Sequence, residues 1–357
     1  MKKIITVIGA RPQFVKAAVV SRIVRQREDV REVLVHTGQH FDKNMSEVFF
    51  EEMEIPMPDY QLDINGLTHG KMTGRMLEAI EEILLKEKPD LVLVYGDTNS
   101  TLAGALVAAK IHIPIAHVEA GLRSYNMQMP EEINRILTDR VSKWLFCPTD
   151  TAVNNLKREG FSNFESSIYL TGDVMLDCAN FYASKLDTIH SRIEISEAPF
   201  VLATLHREEN TKPEKLRDII SILNAINEET VVIMPIHPGT RRKLHQNNVH
   251  PKFKMIDPVG YFDMIRLLKD CLYVVTDSGG LQKEAFFFHK YCVTLREQTE
   301  WVELVENGVN FICGSNQGKV EEAIRVIKNR TFPTRMSLYG DGNAGINIVT
   351  ALFEKAR

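Results

Sequence analysis

Short runs rich in β-branched and apolar residues alternate with helical stretches along the whole chain, the pattern of a parallel sheet wrapped by helices. In the first half the spacing predicts strands at "KIITVIG", "EVLVHTG", "LVLVYGD", "IPIAHVEAG" and "WLFCPT", with "IYLTGD" closing the series. Helices fall between them, among them "FVKAAVVSRIVRQ" and "HGKMTGRMLEAIEEILLKEK". A second series runs through "FVLATLHRE", "VVIMPIHP", "FKMIDPVG", "LYVVTDSGG", "KYCVTLRE" and "NFICGS". Two α/β sets of similar size predict two Rossmann-like halves facing a cleft. A length of 357 residues, more than one core usually grows to, points the same way.

Ligands of open α/β sheets bind outside the carboxyl ends of the strands. The unusual polar residues gather at those ends: Arg11, Gln39, His40, Asp97, Glu119, His206, His237, Asp277 and Ser278. Each could be a capping residue alone; nine, drawn from both halves, point to a site. The stretch "AHVEAGLRSYNMQMPEEINR" poses the sharpest question, since a buried strand ends on Glu119 and two more acids, Glu131 and Glu132, follow within a dozen or so residues. Ionised carboxylates there cost desolvation energy unless paired or working. The plain alternative leaves them solvated or bridged to Arg123 and Arg135.

Composition narrows the classes. Hydrophobic residues at 44% and charged residues at 25% are ordinary for a globular protein. A net charge of −4 argues against a nucleic-acid footprint or a polybasic membrane surface. The "MKKIITVIGARPQ" start is too short and too soon broken for a signal peptide, and no stretch reaches the roughly 18 apolar residues of a membrane span. A cytoplasmic location is the expectation. Cys147, Cys178, Cys271, Cys292 and Cys313 lack C-x-x-C spacing, so neither a disulfide framework nor a zinc site is indicated.

"VIGARPQFVK" lacks the G-x-G-x-x-G spacing of a dinucleotide site, and the second strand ends in "HTGQHF" without a ribose-binding acid. That turn instead offers Arg11 and Lys16 to an anion. In "VVTDSGGLQKEAFFF" a buried strand ends at Asp277, and Ser278, Gly279 and Gly280 open a helix whose free N–H groups suit a diphosphate. Glu284, about one turn on, could accept from ribose hydroxyls.

The motifs "GARPQFVK", "TGQHFDKNM", "GDTNSTLAGALVA", "HVEAGLRS", "MPEEINR", "LHREEN", "TDSGGLQKEA", "REQTEWVELVENG" and "LYGDGNAGINI" together resemble the non-hydrolysing bacterial UDP-N-acetylglucosamine 2-epimerase family. The resemblance runs in order from residue 9 to about residue 350. It implies an α/β fold of the glycosyltransferase B type. The N-terminal Rossmann-like domain would span 1–172, with a helix at about 341–357 packing back on it, and the UDP-binding domain would span 173–340.

The implied chemistry eliminates UDP to a glycal and adds it back with the proton delivered to the other face of C2; no metal or redox cofactor is implied. By resemblance the catalytic positions are Asp97, Glu119, Glu131 and His206, with Glu119 and Glu131 as acid and base and Asp97 as base or orienter. The UDP set is Arg11, Lys16, His206, Ser278, Gly279, Gly280, Glu284 and Arg296. Arg123, Asn134 and Arg135 read as supports, and a homodimer is the implied assembly.

Departures from the family pattern bear on the substrate. Phe41 and Asp42 follow Gln39 and His40, and "DINGLTHGKM" lacks an Arg-Gln pair used elsewhere to bind a second, activating substrate molecule. "VHTGQHFDKNMSEVFFEEM", "NMQMPEEINRILTDRVSKWLFCPT" and "DPVGYFDMIRLL" are most similar to the branch acting on UDP-2,3-diacetamido-2,3-dideoxy-D-glucuronate. Such a uronate would require a further cation near C6, for which Lys43, His69, Arg207 and Arg241 are candidates. Rival expectations are a UDP-N-acetylglucosamine epimerase, a UDP-sugar glycosyltransferase, a non-catalytic UDP-sugar-binding module, and a metal-dependent hydrolase using His206, His237 and Asp277.

Overall fold

The structure, a computed structural model, describes residues 1–39, 57–188, 193 and 198–354, and only the backbone of Arg11. His40, Phe41, Asp42 and Lys43 lie outside the described residues. The chain divides into two compact units, Met1–Asn180 with Ser337–Arg357, and Phe181–Met336.

Unit 1 is built on a seven-stranded sheet of order β3-β2-β1-β4-β5-β6-β7, with every pairing parallel. Its strands are β1 (Lys2–Ile8), β2 (Val30–His36), β3 (Tyr60–Gln61), β4 (Leu91–Tyr95), β5 (Ile115–Val118), β6 (Trp144–Cys147) and β7 (Ser167–Leu170). Ile4, Ile5, Val7 and Ile8 are fully buried, as befits a central strand with helices on both faces. β1 pairs Ile4 with Leu91 and Val7 with Val94, and on its other side Ile4 with Glu32. Strand order reverses between β1 and β4, so the crevice of this unit opens beyond Ile8 and Tyr95. β3 was not anticipated: two residues, Tyr60 partly buried and Gln61 exposed, carry no period.

Helix α1 (Arg11–Val24) follows β1, and α2 (His69–Glu87) buries Met76, Ile80, Ile83 and Leu84, spaced by four, three and one so that one stripe faces the sheet. It ends where Lys88 turns left-handed at φ 48°. α3 (Asn99–Lys110) lies so close to the sheet that a Cβ on Gly104 would sit 3.2 Å from Val7. α4 (Pro130–Val141) and α5 (Asp150–Arg158) come next, then α6 (Val174–Lys185), which starts in this unit.

Unit 2 repeats the plan with a parallel sheet of order β10-β9-β8-β11-β12-β13. The strands are β8 (Phe200–Thr204), β9 (Val231–Pro235), β10 (Lys254–Ile256), β11 (Val274–Thr276), β12 (Cys292–Thr294) and β13 (Asn310–Ile312). Its reversal falls between β8 and β11, which pair Leu202 with Val274 and Thr204 with Thr276. Its helices are α7 (Pro213–Glu229), α8 (Pro238–Gln246), α9 (Tyr261–Asp270), α10 (Gly279–Phe287), α11 (Val302–Glu306) and α12 (Gln317–Lys328).

The last helix, α13 (Ala344–Phe353), packs on α1 in unit 1. Contact is close enough that a Cβ on Gly345 would meet Val19 at 2.6 Å and Ile23 at 2.8 Å. Asp177 accepts from the N–H groups of Ala344 and Gly345 at 3.1 and 2.8 Å, satisfying two free donors of that helix start. All five cysteines are buried and none is in a disulfide.

Candidate active site

At the switch point of unit 1 the ends of β4 and β5 lie side by side, Gly96 donating to the carbonyl of Val118 at 3.0 Å. Glu119 follows β5 directly and has φ +72°, a left-handed conformation that costs a non-glycine residue about 1–3 kcal/mol. Its N–H and that of Ala120 both donate to Phe146 O. The Glu119 carboxylate is 7% exposed and ion-pairs with Lys16 of α1, itself 10% exposed. Lys16, expected among the UDP contacts, thus already meets an anion of its own unit. Gly96 makes room for this pair: at φ +62°, a Cβ there would lie 3.2 Å from both Glu119 Oε2 and Lys16 Nζ.

Asp97, 30% exposed, is bound by Arg135 through Nη2. The Nη1 of Arg135 donates to Glu132 at 2.9 Å, so one guanidinium spans two acids. Glu132 is fully buried and also accepts from Ser124 N, Ser124 Oγ and Tyr125 N at 2.8–2.9 Å, fixing the loop before α4. Asn134 donates to the carbonyl of Asp97 at 2.9 Å. Glu131, next to Glu132, is exposed on the first turn of α4. The three acids of the stretch 116–135 therefore meet different fates: Glu119 pairs with Lys16, Glu132 with Arg135, and Glu131 faces solvent.

Behind them runs a buried polar chain that sequence reasoning did not find. His117 on β5 contacts Gly96 O and Asp139 Oδ1, each at 2.7 Å. Asp139 also accepts from Arg123 at 2.7 Å and Gly121 N at 3.1 Å, and Arg123 grips Glu159 with two bonds of 2.7 and 2.8 Å. Burial alone would raise the Asp139 carboxyl, but the His117 and Arg123 contacts hold it below the usual range. Arg123 therefore serves Asp139 and Glu159 rather than the acids of its own motif. His117 and Asp139 lie too far apart in sequence for spacing to link them. Gln39 docks on the start of α3, accepting from Ser100 N and Oγ at 3.1 and 2.9 Å.

In unit 2, Ser278 caps α10, its hydroxyl accepting from Leu281 N at 3.4 Å. Gly279 and Gly280 have different surroundings. A Cβ on Gly279 would strike Glu300 at 2.4 Å, whereas one on Gly280 would meet no described atom within 4 Å. Arg296, 4% exposed, gives Nη2 to Glu300 at 3.0 Å, while its buried Nη1 has no hydrogen-bond partner among the described residues. That nitrogen lies 3.6 Å from the Cβ position of Gly279. An unsatisfied buried guanidinium nitrogen beside a helix N-terminus suits an anion.

The helix start is held from behind. Trp301 Nε1 donates to Gly279 O at 3.0 Å, and Gln282 joins Ser278 O, Thr299 and Asn310 at 2.7–3.2 Å. Glu284 is buried one turn on. Asp277 accepts from Arg207 N at 2.9 Å and from His206 N and Asn210 Nδ2 at 3.2 Å. It also accepts from His206 Nδ1 at 3.2 Å, leaving that ring 49% exposed. Burial would raise the Asp277 carboxyl, yet His206 and these backbone donors hold it low. His237 is a cap: its Nδ1 accepts from Gly239 N at 3.1 Å at the start of α8.

A family profile described as UDP-N-acetylglucosamine 2-epimerase matches residues 22–353. The chain is 55% identical over 353 residues to the UDP-2,3-diacetamido-2,3-dideoxy-D-glucuronate 2-epimerase of Pseudomonas aeruginosa, covering 98% of this chain and 99% of that one. The crystal structure of Methanocaldococcus jannaschii UDP-GlcNAc 2-epimerase in complex with UDP-GlcNAc and UDP is similar at TM-score 0.90 and 40% identity, covering 99% of this chain and all of that one. UDP-GlcNAc 2-epimerase from Neisseria meningitidis bound to UDP-GlcNAc also gives TM-score 0.90, at 29% identity, covering 99% of this chain and all of that one.

Proposed function

The chain belongs to the UDP-N-acetylglucosamine 2-epimerase family, and from that premise we propose that it interconverts UDP-2,3-diacetamido-2,3-dideoxy-D-glucuronate and its manno epimer. Its fold is of the glycosyltransferase B type and its reaction class is isomerisation. The product would serve surface polysaccharide, such as O-antigen. Identity of 55% along the full chain supports that sugar over plain UDP-N-acetylglucosamine.

The C2 hydrogen of such a sugar has no adjacent carbonyl to acidify it, so its removal must be coupled to loss of the C1 substituent. In the proposed reaction a base takes the C2 proton and that C–H electron pair becomes the C1–C2 double bond. The C1–O bond breaks with its electrons leaving on the β-phosphate of UDP. The reverse addition rebuilds the C1–O bond, and an acid delivers a proton to the opposite face of C2. No electrons are gained or lost overall, so the reaction requires no redox cofactor.

Asp97 and Glu119, at the ends of adjacent strands β4 and β5, carry this reading. We assign them with Glu131 to the proton transfers. Unequal surroundings push carboxyl groups toward different tasks: Glu119 is buried against Lys16, Asp97 is half-buried on Arg135, and Glu131 is exposed. The diphosphate is assigned to the start of α10, with Ser278, Gly279, Gly280 and Arg296 Nη1 as donors, Glu284 for the ribose and His206 near the phosphates. Arg11 and Lys16 complete the proposed UDP set. Cytoplasmic location and a homodimer belong to the same proposal; among the described residues no helix is long and apolar enough to cross a membrane.

The test is NMR of each UDP-sugar incubated with the enzyme in deuterated water, without any acceptor. Deuterium at C2 together with manno signals is expected for the diacetamido-uronate. Incorporation with UDP-N-acetylglucosamine alone would replace the substrate, and none with either sugar would refute epimerisation in favour of glycosyl transfer or simple binding.

A further inference from the structure

We infer that His69 recognises the sugar, donating from Nε2–H to the C6 carboxylate of the substrate; the inference rests on the proposed function. The chain of contacts begins at Asp97. Its main-chain carbonyl can only accept, so the Asn134 atom 2.9 Å away is Nδ2. The same NH2 group faces Asn99 at 3.3 Å, which makes the facing atom Oδ1. Asn99 is thereby turned so that its Nδ2 meets Nδ1 of His69 at 3.2 Å. A ring nitrogen that receives a donor carries no proton, so the proton of His69 sits on Nε2.

Two amides, 6% and 5% exposed, thus fix the tautomer of an exposed histidine and tie it to the backbone of the proposed catalytic Asp97. Three helix starts bring this about: His69 opens α2, Asn99 opens α3 and Asn134 lies in the second turn of α4. Nε2 has no partner among the described residues. The group offered is one N–H in a set orientation, and a carboxylate accepts such a donor in a charge-assisted hydrogen bond.

The other candidates for this contact are placed differently. Arg241 ion-pairs with the exposed Asp257 at 2.8 Å, and Arg207 gives its main-chain N–H to Asp277 in unit 2. Lys43 is outside the described residues.

The experiment measures kcat and KM for UDP-2,3-diacetamido-2,3-dideoxy-D-glucuronate in the wild type, His69→Ala and His69→Gln. Alongside are measured the Kd of UDP and the Ki of UDP-N-acetylglucosamine, which carries a hydroxyl at C6. A lost bond to a charged acceptor corresponds to a KM raised about 30-fold in His69→Ala, with kcat and UDP affinity nearly unchanged and a much smaller shift in Ki. His69→Gln, whose oxygen can accept from Asn99 while its NH2 donates, recovers most of the loss. An unchanged KM, or a loss confined to kcat, would overturn the inference; so would a Ki that moves as far as KM, since the contact would then be to a group both sugars share. A wild type that places no deuterium at C2 of the uronate would instead refute the proposed function.

Discussion

Replacing Lys16 by Met separates two possible duties of that lysine. Should it serve UDP alone, the variant loses nucleotide affinity and keeps its stability. Should it be the counter-ion of Glu119, the loss falls on folding, because the pair is buried at 10% and 7% exposure and removing one partner strands the other. The penalty has a ceiling, since the stranded carboxyl can take up a proton instead. For an ordinary glutamate pKa of about 4.3, protonation at pH 7 costs about 3–4 kcal/mol, falling to about 1 kcal/mol at pH 5. For a unit of this size that is a melting point lowered by about 6–16 °C at neutral pH. The sign follows: a carboxyl forced neutral in the folded state binds a proton the unfolded chain lacks, so the variant recovers as pH falls. Urea titrations of the wild type, Lys16→Met and Lys16→Met/Glu119→Gln at both pH values measure it. The double variant should regain at least half the stability while remaining inactive. A single variant within about 1 kcal/mol of wild type at pH 7 would refute the pairing argument.

Gly280→Ala should leave the protein as stable or raise stability by about 0.4–1 kcal/mol, because no described atom opposes a Cβ there, yet weaken UDP binding at least tenfold by calorimetry; unchanged affinity would remove Gly280 from the cradle. Glu119→Gln and Glu131→Gln should each abolish turnover with UDP affinity within severalfold, and normal turnover in both would refute their roles. Burial against Phe14 pushes the His36 imidazole down from 6.5 to about 4, with Asp63 opposing only in part. The neutral ring is favoured above the unfolded value, and its contribution is lost as pH falls toward 4, about 2 kcal/mol by pH 5. His36→Leu should remove that part of the acid sensitivity, and an identical acid profile in both proteins would refute it.

The parallel sheets were legible because central strands buried on both faces read as continuous apolar runs; Ile4 to Ile8 and Leu91 to Tyr95 announce themselves in one dimension. β3 did not, since Tyr60 and Gln61 owe their strand geometry to the edge of β2 rather than to any period of their own. His237 could be read as a cap or as part of a site; a histidine before proline does not decide between them, and the fold shows Gly239 N–H aimed at its ring.

Within the site, legibility followed sequence distance. Glu132 and Arg135 lie three residues apart on one helix, and their bond could be anticipated from helical spacing alone. Lys16 and Glu119 are 103 residues apart, and only the strand order that sets β1 beside β4 and β4 beside β5 brings α1 against the end of β5. That order also gives the cation that follows β1 an anion within its own unit, Glu119. Glu119 in turn can keep a left-handed backbone only because its own N–H is held by Phe146 O and the neighbouring Gly96 leaves space for the pair. A strained acid with a buried counter-ion is poor material for stability alone. In the proposed reaction, its placement at the switch point, one strand from Asp97, is the cost of holding a carboxylate ready for proton transfer.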